Sequence, residues 1–104
     1  MNMETTIIAS VIFQLKKDGG RQDFWFNGMK PSFNFEGKLT SCSFYSLTGE
    51  KIIKSGLNHE LKLVIYNSQD FIKRINPGIS FSLNSGAKII ANGVIKKIIG
   101  TSGI

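Results

Sequence analysis

The first segment of the chain repeats apolar side chains at every second position. Ile7, Ala9, Val11, Phe13 and Leu15 fall on one face if the backbone is extended, because successive side chains of a strand point to opposite faces. A helix instead places apolar residues three or four positions apart. The alternation therefore predicts a β-strand with one buried side, and it favours folds that cover one face of a sheet.

The same alternation recurs further along the chain. It is clear in residues 60–66, "ELKLVIY", and in residues 79–83, "ISFSL", where Ile79 and Phe81 alternate with serines. Shorter strand candidates are separated by turn sequences and cover residues 23–26, 32–35 and 41–47. No segment carries an apolar stripe at helical spacing, and "NSQDFIKRINPG" has room for one helical turn. Six or seven short strands predict an all-β fold, an antiparallel barrel or sandwich.

The last strand candidate, residues 88–99, has a different pattern. The sequence "KIIANGVIKKII" places apolar residues on both faces, and we expect Ile90, Val94 and Ile98 to face outward. Glycine inside a strand is typical of a bulge or a barrel corner, so Gly93 predicts one of these. The preceding "NSGAK" predicts a hairpin turn in which Gly86 adopts a positive φ angle.

Charge and length limit the class of protein. The chain has 104 residues, the length of one domain, and its thirteen Lys and Arg against seven Asp and Glu give a formal charge of +6. This charge favours an acidic partner such as RNA, an anionic membrane or an acidic protein, but the basic residues are spread along the chain, as on a solvated surface. We expect no targeting segment at the N-terminus, and no apolar run reaches the roughly 18 residues of a membrane span. We expect a cytoplasmic protein with no membrane partner.

Groups that carry catalysis are scarce. Cys42 is the single cysteine and His59 the single histidine. Cys42 lies in a Ser- and Phe-rich run and is expected to be buried, in keeping with a reducing compartment. His59 is expected at the surface, in a turn before a strand. With no paired carboxylates and no cluster of metal ligands in the sequence, we predict a binding protein rather than an enzyme, without cofactor, nucleotide or metal.

Residues 16–35, "KKDGGRQDFWFNGMKPSFNF", contain a Gly-Gly-Arg corner, an aromatic run, a Gly-Met-Lys-Pro turn and a strand built on two phenylalanines. This order resembles the start of the C-terminal β-barrel of bacterial elongation factor Tu. Residues 76–100, "NPGISFSLNSGAKIIANGVIKKIIG", are similar to the closing hairpin of that barrel. The resemblance runs over residues 6–100 in order and implies a single six-stranded antiparallel barrel domain across residues 1–104. It also implies a chain without the factor's GTP-binding domain and GTPase activity.

In that family the barrel contacts the T-stem of aminoacyl-tRNA, and the resemblance carries part of that surface over. Arg21 matches a contacting arginine, and Gln22 stands where the family has histidine. Ser85 and Gly86 match a pair in the last hairpin turn. Residues 36–38, "EGK", replace an Arg-Thr-Thr run, and their glutamate is expected to repel a phosphate. With further basic residues added, the candidate RNA-binding residues are Arg21, Gln22, Lys30, Lys73, Arg74, Ser85, Gly86 and Lys88.

The aromatic run Phe24, Trp25 and Phe26 has two interpretations. Exposed aromatic side chains stack on unpaired bases, whereas adjacent aromatics on a strand point to opposite faces, so at least one of the three belongs to the core. We interpret the run mainly as barrel packing.

Two classes of function stay open. The first is weak, salt-sensitive binding of tRNA or other RNA. The second is a protein-interaction module, a mimic of the factor that docks one of its partners or serves as an immunity or inhibitor protein against a toxin. In the second case, the barrel face that packs on other domains in the factor must be polar or covered by a partner here.

Overall fold

Six strands of the computed structural model, which describes residues 2–20 and 22–103, close into an antiparallel barrel. In chain order, the strands are β1 (Met3–Phe13), β2 (Phe24–Phe26), β3 (Ser32–Phe35), β4 (Lys38–Ser46), β5 (Ile52–Lys54), β6 (Asn58–Tyr66), β7 (Ser80–Ser85) and β8 (Lys88–Gly103). The barrel order is β1, β6, β4, β3, β7 and β8, with β8 pairing back to β1, while β2 and β5 form a separate two-stranded ribbon. The predicted all-β class and six-stranded antiparallel barrel are confirmed.

Three short 3-10 turns lie between the strands, at Lys16–Asp18, Ser68–Asp70 and Ile72–Arg74. The last two occupy the segment for which one helical turn was expected. Across residues 2–20 and 22–103, no helix has the length and apolar character that crossing a membrane requires.

The interior of the barrel follows from the alternation in β1. Ile7, Ala9, Val11 and Phe13 are fully buried, and the apolar residues of β6 that alternate in the same way face them across the core. Burial of each large aliphatic or aromatic side chain contributes about 1.5–3 kcal/mol. Leu15, the fifth member of the predicted face, lies beyond the end of β1 and is half-buried.

One end of the barrel, which we name the ribbon end, is closed by β2 and β5. Trp25 and Ile53 point from the ribbon into the barrel and are buried. The Trp25 ring stacks on Phe13 at the end of β1, with centroids 5.0 Å apart. The hairpin that joins β7 to β8 reaches the same end, because the register pairs the start of β8 with the end of β1.

The opposite end, which we name the turn end, is closed by residues 67–78. This segment buries Phe71 and Ile75, and the Phe71 ring lies 5.9 Å from the ring of Phe33 inside the barrel. The tight turn between β3 and β4 lies at the same end. The two ends are thus closed by apolar side chains from different parts of the chain.

The last strand corrects the expectation for Gly93. The pairing register is unbroken at Gly93, which lies opposite Phe81 of β7. A Cβ at this position would overlap the Phe81 ring, so packing requires glycine here. The bulges of β8 instead fall at Ile90, Lys96 and Ile99. Of the two alternatives predicted for Gly93, the bulge is therefore wrong, and the barrel corner stays a prediction.

The outward face expected for the last strand is also corrected. Ile90 is only 1% exposed, because the bulge turns it into the core, whereas Val94 is exposed and Ile98 is half-buried. Ile79 was expected inside but is exposed, since β7 begins one residue later. The hairpin turn was predicted correctly, and Gly86 has a φ of 63°.

Candidate nucleic-acid interface

The glycine corner after β1 is fixed by backbone geometry. The 3-10 turn at Lys16–Asp18 ends at Gly19, whose φ of 98° lies in the left-handed region. The N–H of Gly20 donates to the Leu15 carbonyl at 2.9 Å, and a Cβ at Gly20 would overlap the backbone of Gln14. Both glycines are required by the path that leads the chain from β1 to the ribbon.

Two candidate RNA-binding residues follow this corner. Arg21 lies outside the described residues. Gln22 is half-buried, and its Nε2 donates to the Phe24 carbonyl at 2.5 Å. The backbone carbonyl of Gln22 accepts from Ser55 Oγ at 2.9 Å. Gln22 is therefore held against the ribbon rather than extended into solvent.

A cleft of about 200 Å³ opens at the ribbon end between residues 29–32 and the hairpin of β7 and β8. We name it the hairpin cleft. Its floor consists of the buried Trp25, Phe44 and Ile90, and its rim consists of Lys30, Ser85 and Gly86. Lys30 and Gly86 are exposed, and Ser85 is half-buried.

The pairing of β3 with β7 creates this cleft from distant parts of the sequence. Ser32 lies opposite Asn84 in the register of the two strands. Lys30, two residues before Ser32, is thereby brought to the hairpin that contains Ser85. Lys88 pairs with Ser85 at the start of β8 and is exposed. Four of the candidate residues thus meet at one place.

The hairpin cleft is lined by basic, polar and apolar side chains. Among the described residues, Lys30 is the one charged residue that lines it. Asn84 is 5% exposed, and its Oδ1 accepts from Asn34 Nδ2 at 3.2 Å. A lysine ammonium neutralises a phosphate as a point charge, and serine hydroxyls bond to phosphate or sugar oxygens. The cleft therefore offers one ammonium group and serine hydroxyls to a ligand, above an apolar floor.

Lys73 and Arg74, the remaining candidates, lie at the turn end. The Arg74 guanidinium forms an ion pair with Glu36 and lies over the Phe35 ring, 5.4 Å from its centroid. Strand β3 runs from one end to the other and spans roughly 10 Å between its first and last Cα atoms. The candidate residues are thus divided between two ends of the barrel.

Glu36 is part of a tight turn. Glu36 has a φ of 52° and Gly37 a φ of 86°, as in the two-residue turns that match the twist of β-hairpins. The carboxylate that was expected to repel a phosphate is paired with Arg74. Both partners are more than half exposed. The pair offsets the charge of Arg74, while Lys38 and Lys73 at the same end are also exposed.

The aromatic run of β2 departs from its interpretation as barrel packing. Trp25 is 4% exposed, and its Nε1 donates to Ser55 Oγ at 3.1 Å. Phe24 and Phe26, by contrast, are 51% and 52% exposed. The interpretation is confirmed for Trp25 and wrong for its two neighbours. The alternation of faces along a strand separated the ring of Trp25 from those of its neighbours but did not show which face is buried.

The single cysteine, Cys42, and the single histidine, His59, both lie within strands of the barrel. Cys42 is fully buried, as predicted, and desolvation raises the pKa of its thiol from 9.0 to about 12, so the thiol is protonated at neutral pH. His59 lies within β6 rather than in the turn before it, and its Nε2 donates to the Lys54 carbonyl at 2.8 Å. Within the part of the chain that the structure describes, no three His, Cys, Asp or Glu residues form a metal-binding group.

No protein-family model matches the chain. The chemistry and geometry of the ribbon end are therefore the basis on which a function is proposed.

Proposed function

We propose that the protein is a non-catalytic binding module that contacts the sugar-phosphate backbone of RNA, with tRNA as the first candidate, through its ribbon end. The proposal includes a relationship to the C-terminal barrel of elongation factor Tu, in a chain that acts in the cytoplasm and in translation. The ligand is a structured RNA, and the contact does not involve cleavage or transfer chemistry.

The observation that carries the proposal is the position of Lys30 against Ser85 and Gly86 in the hairpin cleft. These residues come from segments far apart in the sequence, and the fold brings them together at the rim of the cleft. Among the described residues, no acidic residue lines the cleft. Lys88 adds a second exposed ammonium at the same hairpin. Contacts of this kind hold a nucleic acid by its backbone and carry no base specificity.

The likeness to the factor's barrel is supported by where two features lie. The resemblance assigns tRNA contacts to the glycine corner and to the last hairpin turn. In this structure the corner at Gly19 and Gly20 follows β1, and the turn at Ser85 and Gly86 precedes β8, so both belong to the ribbon end. One RNA contact at the ribbon end is thus able to include both the glycine corner and the hairpin turn.

The expected affinity is low, because the contact area is small. Two or three phosphates neutralised by lysine give a slope of about −2 to −3 when the logarithm of the binding constant is plotted against the logarithm of salt concentration. The salt dependence is therefore a more specific expectation than the affinity itself.

Fluorescence anisotropy with labelled bulk tRNA, at several salt concentrations, tests the proposal. We expect binding at low salt that weakens with that slope, and a loss of about 10-fold or more for Lys30→Glu, since the substitution places a carboxylate beside a phosphate. Lys97→Glu, on the outer side of β8, makes the same charge change outside the hairpin cleft and serves as the matched control. No binding at low salt, or equal losses in the two variants, would contradict the proposal.

A further inference from the structure

The outer face of the ribbon carries unpartnered aromatic side chains. In the antiparallel register of β2 and β5, Phe24 lies opposite Lys54 and Phe26 opposite Ile52. The alternate residues, Trp25 among them, point into the barrel. Phe24, Phe26, Ile52 and Lys54 therefore share the face that points away from the core, and we name this set the platform.

The platform is held in place from below. The Trp25 ring stacks on Phe13, and its Nε1 bonds to Ser55. The ends of the ribbon are tied as well, because the Ser55 N–H donates to the Asp23 carbonyl at 3.0 Å and Asn27 Nδ2 donates to the Glu50 carbonyl at 2.7 Å. The two exposed rings thus stand on a fixed backbone, which lowers the entropic cost of binding a ligand.

Exposed aromatic pairs on a small sheet have the properties of a base-stacking surface. The Cα atoms of Phe24 and Phe26 are about 7 Å apart, two residues along a strand. Two neighbouring bases of an extended strand therefore reach both rings. Stacking is possible only with bases that are unpaired, because a duplex hides the faces of its bases.

The charges around the two rings favour a nucleic acid over an apolar protein surface. Lys54 lies on the platform beside Phe24, and Lys51 precedes Ile52 and is exposed. An apolar partner would bury the Lys54 ammonium without an acceptor, at a substantial desolvation cost, whereas each nucleotide brings a phosphate. Two acids flank the ribbon and keep their charge while hydrogen-bonded locally, with Asp23 Oδ1 accepting from the Lys16 N–H and Glu50 Oε1 accepting from Thr48 Oγ1.

The platform adjoins the hairpin cleft at the ribbon end. The N–H of Phe26 points to Met29 Sδ at 3.4 Å, and Met29 also lines the cleft beside Lys30. Trp25 lies between the two, with its ring on the floor of the cleft and its neighbours on the platform. The platform and the cleft thus lie on either side of Trp25.

From this arrangement we propose that the platform binds a single-stranded segment of RNA by stacking one base on Phe24 and one on Phe26, with Lys54 contacting the phosphate between them. The proposal rests on the RNA binding proposed above and deepens it, because it adds an unpaired segment to the ligand. It predicts little base preference, since stacking is tolerant of sequence.

Titration of the full chain with a labelled oligouridylate of about 12 nucleotides, which is within the usual site size of a small barrel, tests the proposal. We expect Phe24→Ala and Phe26→Ala each to weaken binding by about 5- to 100-fold. Phe26→Trp keeps a stacking ring and is expected to retain or increase the affinity. Leu39 on β4 is 51% exposed, as much as the two phenylalanines. Leu39→Ala removes this apolar side chain and is expected to leave binding unchanged.

Circular dichroism establishes that the variants are folded, which is expected because both rings are half exposed and outside the core. Equal affinity of the wild-type chain and the two alanine variants for oligouridylate would overturn the proposal. A dimer in analytical ultracentrifugation that Phe24→Ala dissociates would also overturn it, because the platform would then be a protein contact.

The failure of this proposal is distinguishable from failure of RNA-backbone binding. Suppose that tRNA binding depends on Lys30, but that Phe24→Ala and Phe26→Ala change the affinity for neither tRNA nor oligouridylate. The platform proposal is then wrong, and the proposed function stands. If tRNA does not bind but oligouridylate binds through Phe24 and Phe26, the proposed tRNA contact is wrong and the platform proposal stands.

Discussion

The two ends of the barrel use the same kinds of residue for different purposes. At the turn end, aromatic and apolar side chains are buried under residues 67–78, and the exposed Arg74 is neutralised by Glu36. At the ribbon end, two phenylalanines remain half exposed, and lysine lines an open cleft. Charge pairing and apolar burial favour stability, whereas unpaired lysine and exposed aromatic rings favour a ligand. Under the proposed function, this difference predicts that RNA contacts the ribbon end and not the turn end.

Phe71→Ala is expected to have the largest effect on stability. Phe71 is 4% exposed and packs on Phe33 and Phe35, with centroids 5.9 and 5.7 Å apart. Removal of a buried phenylalanine ring costs about 3–5 kcal/mol. Urea denaturation measures the loss, and the folded fraction is expected to bind tRNA as the wild-type chain does. A weaker tRNA affinity of the folded variant would contradict the proposal that the turn end serves stability and the ribbon end serves RNA binding.

The second prediction concerns the pKa of Cys42, which lies in the barrel wall between the two ends. Burial raises the pKa of Cys42 on β4 to about 12, above the value of 9.0 for a free thiol. Because the folded state holds this proton more tightly, the stabilisation is fully present below about pH 9 and is lost as the pH rises towards 12. The free energy of unfolding then falls by about 1.4 kcal/mol per pH unit on account of this one group.

Denaturation of the wild-type chain and of Cys42→Ala above pH 9 isolates that contribution. The alanine variant is expected to show a shallower decline, since the two proteins differ only in the thiol. Parallel declines would show that the thiol does not carry the expected alkaline sensitivity.

A matched pair of serine substitutions compares the ends directly. Ser55 accepts from Trp25 Nε1 at the ribbon end, and Ser68 is bonded to Thr5 Oγ1 at 2.8 Å at the turn end. Ser55→Ala leaves the buried Trp25 Nε1 without an acceptor, which costs about 1–3 kcal/mol. In Ser68→Ala, Thr5 Oγ1 keeps its hydrogen bond to Thr101 Oγ1. Ser55→Ala is therefore expected to lose more stability in urea denaturation than Ser68→Ala. Only Ser55→Ala is expected to weaken RNA binding, because it loosens the ribbon, and equal binding losses would contradict this.

The smallest expected effect is at the ion pair of the turn end. Glu36→Gln removes the partner of Arg74, but both side chains are more than half exposed. Exposed pairs contribute less than about 1 kcal/mol. Thermal denaturation at low salt is therefore expected to show a change close to the error of the method. A loss of several kcal/mol would indicate that the pair helps to hold residues 67–78 on the barrel.

The barrel could be predicted from the sequence because its strands carry their own signal. The alternation in β1 identified Ile7, Ala9, Val11 and Phe13 as core. Strand β5 was missed, since three residues, Ile52–Lys54, are too few to show a period. Gly93 was misinterpreted because its reason is a ring on another strand, which no local pattern reveals.

The candidate site was less accessible to sequence reasoning. The Gly86 turn and the glycine corner depend on local backbone geometry, and both were identified. The hairpin cleft depends on β3 pairing with β7, which brings Lys30 to Ser85 from a distant segment. The exposure of Phe24 and Phe26 depends on which aromatic of β2 points inward, and the Ser55 hydroxyl that bonds to Trp25 lies 30 residues away. Contacts of this kind become visible only in the folded chain.

The salt dependence of tRNA binding in two charge-neutralised variants tests the central claim most directly. Lys30→Gln removes a charge from the ribbon end and Lys73→Gln removes one from the turn end. Loss of one phosphate contact reduces the steepness of the logarithmic salt plot by about 1. We predict that reduction for Lys30→Gln and an unchanged slope for Lys73→Gln. Equal reductions, or a reduction only in Lys73→Gln, would contradict the claim that the ribbon end is the contact surface.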